Sequence, residues 1–135
     1  NKNQKNLQLA KASLNELVKG MEDARESENA EVLILNPQKG WVNFWWVIVW
    51  PFGEKKEKPL KCNENYCICI CKAHGDIENS LKNCNSLGVC KNFNERIEII
   101  NLGFPRLSGT IPIKTPPVGL KVQYDNNGFK IIEEK

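Results

Sequence analysis

The sequence predicts an α+β fold, an N-terminal helix followed by a mainly antiparallel β-sheet domain stapled by disulfides. Three observations lead there. Leu7, Ala10, Leu14, Leu17, Met21 and Ala24 recur at spacings of three and four, the a/d seam of a short heptad pattern. Cys67-Ile68-Cys69-Ile70-Cys71 alternates with period two, which puts the three cysteines on one face of a strand. Cys62, Cys84 and Cys90 flank that strand closely enough to bridge to it. We divide the chain into a helix or stalk over 1–30 and a β domain over 31–135.

The helix is expected over residues 7–24, in a stretch rich in Leu, Lys, Glu and Ala. Gly20 weakens it by about 1 kcal/mol relative to alanine. Its seam through Leu7, Leu14, Leu17 and Met21 has two readings. It packs on the sheet of its own domain, or it is a stalk that self-associates or continues an N-terminal membrane anchor lying before Asn1. The segment from Glu22 to Asn29 reads as a polar, acidic exit, and Val32 to Leu35 as a short strand stopped by Asn36-Pro37.

Trp41 to Phe52 carries no charge and is rich in aromatic and β-branched residues, so it reads as a strand closed by Pro51 and Gly53. One face carries Trp41, Asn43, Trp45, Val47 and Val49, and the other Val42, Phe44, Trp46, Ile48 and Trp50. Such a strand is covered on both sides, or turns one face to an interface. Under the second reading Trp41, Trp45, Trp46 and Trp50 would meet a protein partner, a glycan or a lipid surface.

The cysteine strand follows as the expected antiparallel neighbour. Residues i and i+2 of a strand stand roughly 6.5–7 Å apart with parallel side chains, which disfavours bridges within the triplet. Each strand cysteine then takes a partner from Cys62, Cys84 and Cys90, and several pairings remain open. We favour Cys62–Cys67, across the turn-like Asn63-Glu64-Asn65, with Cys69–Cys90 and Cys71–Cys84. The rival is a zinc site of Cys69, Cys71 and His74 with Cys84 or Cys90. Spacing disfavours it, because the chain has no C-x-x-C, and with that motif go thioredoxin-like and c-type haem chemistry.

Ala73 to Asn83 reads as a loop with one helical turn capped by Asp76. Strands follow at Arg96 to Ile100 and Thr110 to Ile113. In the last hairpin, pairing Tyr124 with Phe129 keeps Leu120, Val122, Tyr124, Phe129 and Ile131 on one face, whereas a strict Asn127-Gly128 turn would oppose Val122 to Glu133.

The 135 residues, 41% hydrophobic and 26% charged, suffice for one domain with a core of its own. A net charge of +3, with lysines mostly scattered, gives no reason to expect a nucleic-acid partner. No apolar run is long enough to span a bilayer. The opening Asn1-Lys2-Asn3 has no signal peptide, which fits a segment removed in maturation or left before Asn1. Phosphate-loop, dinucleotide, zinc-protease, nucleophile-elbow and calcium-loop motifs are all absent. With a single histidine, triad catalysis lacks its parts, so no enzyme and no cofactor is expected.

In layout, and in Cys67 to Cys71 with Cys84 and Cys90, the chain resembles the head domains of type IV pilins and pseudopilins. It is also similar to small archaeal-type extracellular proteins of unknown function that carry a Cys-x-Cys-x-Cys strand behind an N-terminal anchor. The apolar first half of the pilin helix is absent, and no functional residue carries over. The resemblance implies an extracellular, filament-type or surface subunit. Disulfides point the same way, to an extracytoplasmic protein that is secreted, at the cell surface or membrane-anchored, with protein partners or self-association.

Overall fold

The computed structural model describes residues 2–35, 44–51, 58–73, 84–102, 109–113 and 117–134. Trp41, His74 and Asp76 lie outside them. The order is α1 (Lys2–Ser27), β1 (Asn29–Ile34), β2 (Phe44–Trp50), β3 (Tyr66–Ala73), β4 (Gly88–Phe93), β5 (Ile97–Ile100), β6 (Thr110–Ile113), β7 (Val118–Asp125) and β8 (Gly128–Glu134). The strands form two four-stranded sheets, one in the order β1-β7-β8-β5 and the other β4-β3-β2-β6. Every pairing is antiparallel except β5 with β8. The expected α+β architecture is present.

The seam of α1 is buried in its own domain. Ala10, Leu14, Leu17, Met21 and Ala24 lie in one core with Val32, Leu120 and Val122 of the first sheet and Val47, Ile68 and Ile70 of the second. The helix touches β1 and β7 on one side and β3 and β4 on the other, so it fills the mouth between the sheets. At the opposite side β5 approaches β2 and β6 directly. There the Gly109 amide donates to the Ile99 carbonyl, and the Val49 amide donates to Gly109.

The helix runs past both of its expected ends, and the acidic segment is its last turns rather than an exit. Only Ala24 there needs to be apolar. Arg25 donates two hydrogen bonds to Glu95, at 2.9 and 3.0 Å, and its guanidinium lies 5.3 Å from the Phe129 ring centroid. The ion pair is partly exposed, so its contribution is modest, below about 1 kcal/mol. Glu28 stops the helix in the left-handed region (φ 76°), with its amide bonded to the Ala24 carbonyl at 2.7 Å. β1 accordingly begins at Asn29, earlier than the apolar residues alone indicate. No described helix is long and apolar enough to cross a membrane.

Gly20 marks the close approach of α1 to β1. A Cβ at this position would overlap Val32 Cγ2, a short and stiff side chain with no room to swing away. Gly20→Ala should therefore not realise the helix-propensity gain of about 1 kcal/mol. Overpacking costs about 1–3 kcal/mol, and urea unfolding is expected to show a net loss of stability.

The final hairpin takes the Tyr124–Phe129 register, with Asp125 opposite Gly128. Gly128 has φ +105°, and a Cβ there would overlap the Arg96 carbonyl oxygen, so glycine is required on two counts.

Candidate functional site

Period two along β2 and β3 divides the second sheet into two buried faces. Trp45, Val47 and Val49 look into the main core, with Ile68 and Ile70 beside them. Trp46, Ile48 and Trp50 look the other way and form a separate cluster with Cys62, Cys67, Cys69, Cys71 and Cys84. Across the β2–β3 ladder Trp46 opposes Cys71, Ile48 opposes Cys69 and Trp50 opposes Cys67. Each strand cysteine thus has a large apolar neighbour on one side and its bridge on the other.

The bridges are Cys62–Cys67, Cys69–Cys90 and Cys71–Cys84, the favoured pairing. Cys69 and Cys90 are directly opposed across β3 and β4, with Cα atoms 4.1 Å apart. Cys84 lies in a helical turn over 84–86 and reaches down to Cys71. Opposite Cys71 stands Gly88, where a Cβ would come within 2.8 Å of both Cys71 Sγ and the Cys84 carbonyl oxygen. Glycine leaves the space that bridge occupies. With Cys69, Cys71, Cys84 and Cys90 all bonded, the oxidised chain offers no thiolates for the zinc set drawn from the sequence. Three disulfides suggest an oxidising, extracytoplasmic environment.

The residues singled out for interaction are mostly inside. Trp45, Trp46 and Trp50 are 2, 8 and 1% exposed, Leu14 is 4% exposed, and Leu17 and Met21 are fully buried. Leu7 is partly buried against the main core. Trp46 Nε1 has no hydrogen-bond partner among the described residues, so that ring is held by packing alone.

Among the described residues, an open groove lies elsewhere. A groove of about 440 Å³ runs between the outer side of α1 and β4. Leu14, Val18, Val89 and Cys90 form its apolar part, and Lys11, Lys19, Lys61 and Lys91 stand around it with Asn15 and Glu22. Four ammonium groups against one carboxylate make the groove cationic. The exposed helical residues Lys11, Asn15, Lys19 and Glu22 share one face by their spacing of four, four and three.

The segment after Lys58 holds the far rim in place. The Leu60 amide donates to Asn85 Oδ1 (2.7 Å), the Asn63 amide donates to Asn92 Oδ1 (2.8 Å), and Asn92 Nδ2 donates to the Lys61 carbonyl (3.1 Å). Lys61 Nζ donates to the Gly88 carbonyl, so this segment covers the outer edge of β4 and blunts it against strand addition.

The groove is not legible in the sequence as a whole. The helical lysine face could have been seen in the spacing, but Lys61 and Lys91 join it only through the fold. No protein-family model matches the chain, and no match was found among curated proteins or among solved structures.

Proposed function

We propose that this chain is a non-enzymatic extracytoplasmic interaction subunit, of surface or filament type, that contacts its partner through the cationic groove between α1 and β4. The observation that carries this reading is the groove itself, an apolar floor walled by Lys11, Lys19, Lys61 and Lys91. Its volume is in the usual range for a binding cleft. The chemistry suits an acidic segment with apolar side chains, the charges giving orientation and on-rate and the floor giving affinity. Trp45 to Trp50 and most of the helical seam are used up in the domain's own cores, which favours this groove among the described residues.

A second copy of the chain is one source of acidic side chains. Asp23, Glu26 and Glu28 are exposed at the C-terminal end of α1. Docking that end on the groove of the next copy is a heterologous, head-to-tail contact, the kind that propagates into filaments.

The test is sedimentation of the purified domain over a concentration series, with and without an added acidic amphipathic peptide. Peptide binding, or concentration-dependent assembly, should weaken with salt and fall about 10-fold or more in Lys11→Glu/Lys91→Glu. Binding and sedimentation unchanged by that charge reversal would reject the groove.

A further inference from the structure

Four of the six sulfurs converge. Cys62, Cys67, Cys69 and Cys90 have Sγ atoms all within 4.8 Å of one another. Cys69 Sγ is 3.7 Å from Cys62 Sγ and 3.7 Å from Cys67 Sγ, although it is bonded to neither. Zinc–thiolate bonds of about 2.3 Å in a tetrahedron put neighbouring sulfurs about 3.8 Å apart. Cys69 therefore already stands at that spacing from two others, while the pairs Cys62–Cys67 and Cys69–Cys90 are held closer only by their covalent bonds.

We propose that reduction of these two bridges converts the cluster into a tetrathiolate site for one Zn²⁺. A dithiol reduces each bridge, giving up two electrons and two protons and becoming a disulfide itself. The four thiols then release four protons as the metal binds. Nothing beyond the dithiol and the ion is consumed.

The scaffold for the site is held by strand pairing and hydrogen bonds as well as by the bridges it loses. Cys67, Cys69 and Cys90 stand on the β3–β4 ladder, in which Ile68 pairs with Lys91 and Ile70 with Val89. Cys62 lies in the segment tied to Asn85 and Asn92. Cys90 is only partly buried, whereas its bridge partner Cys69 is fully buried. A zinc tetrathiolate carries a charge of −2, and Lys61, next to Cys62 in sequence, supplies a compensating cation. Soft sulfur in a tetrahedral array selects zinc over calcium or magnesium. The remaining bridge, Cys71–Cys84, brings only three sulfurs together with Cys69 and does not complete a set.

The experiment uses the whole chain, reduced anaerobically with a water-soluble phosphine, which takes up oxygen from water as each disulfide becomes two thiols. Co²⁺ is then titrated as the spectroscopic probe, and Zn²⁺ is added to displace it. The expected result is intense thiolate-to-cobalt absorption saturating at one equivalent, with strand circular dichroism retained. Loss of an outer-shell contact alone costs 10–100-fold in metal affinity, so Cys67→Ser or Cys69→Ser should cost at least about 100-fold. Cys71→Ser/Cys84→Ser and His74→Ala should bind as the parent does. The proposal is overturned if the reduced chain takes up no stoichiometric metal, folded or not. It is equally overturned if the Cys71→Ser/Cys84→Ser or His74→Ala variant loses binding, which would move the site to other ligands.

Discussion

Trp45→Ala is expected to destabilise the chain by about 3–5 kcal/mol, the range for removing a large aromatic side chain from a packed core. Trp45 is 2% exposed, pairs with Lys72 on one neighbouring strand and with Ile113 on the other, and belongs to the core that also holds Leu17, Met21 and Phe129. The surrounding layers come from a helix and two sheets, so the cavity cannot collapse by shifting one loop. Trp46→Phe on the opposite face supplies the contrast. It keeps an aromatic ring and removes an indole donor that has no partner among the described residues. Leaving such a donor buried costs about 1–3 kcal/mol, which offsets much of the lost packing, so this variant should stay within about 1.5 kcal/mol of the parent. Urea unfolding followed by circular dichroism measures both. A loss below about 1 kcal/mol for Trp45→Ala would mean that the ring is not a core residue.

The parts of the fold legible in the sequence are those governed by a short-range rule. Period two along Trp45 to Trp50 and Cys67 to Cys71 assigned every described side chain of these strands to its proper face. Parallel side chains on neighbouring same-face positions kept the strand cysteines from pairing with each other, and turn chemistry then selected Cys62 for Cys67. The hairpin register followed from requiring five apolar residues on one face. By contrast, the parallel pairing of β5 with β8 joins segments whose alternation says nothing about the neighbour. Helix and strand limits at Glu22 to Asn29 are not legible in the sequence because polarity there reflects a helix edge and a sheet edge, both exposed. The same apolar seam is produced by a helix that needs a partner and by one that finds its partner in its own sheet. Leu17 and Met21 carry no mark that separates the two. The groove was hidden for a different reason, since its cations stand on α1, on β4 and in the segment between Lys58 and Cys62.

The three bridges should differ in what they contribute, and the order identifies where that stabilisation arises. The sequence separations are 5 for Cys62–Cys67, 13 for Cys71–Cys84 and 21 for Cys69–Cys90. If the effect lies in restricting the unfolded chain, alanine pairs should cost about 2 kcal/mol for the shortest loop and about 3 kcal/mol for each of the longer two. The native state makes the same order physically reasonable. Cys69–Cys90 links residues that the β3–β4 ladder already holds opposite each other, so removing it leaves native contacts in place and acts through the unfolded ensemble. Cys62–Cys67 is different, because it fixes the segment that covers the β4 edge, and that segment also has its own hydrogen bonds to Asn85 and Asn92. Urea midpoints and slopes for Cys62→Ala/Cys67→Ala, Cys71→Ala/Cys84→Ala and Cys69→Ala/Cys90→Ala test this directly. A smallest loss for the first pair supports chain restriction as the source. A largest loss for the first pair would place the effect in native packing under Trp50, the ring opposite Cys67, and would make the covering of the β4 edge the main task of that bridge.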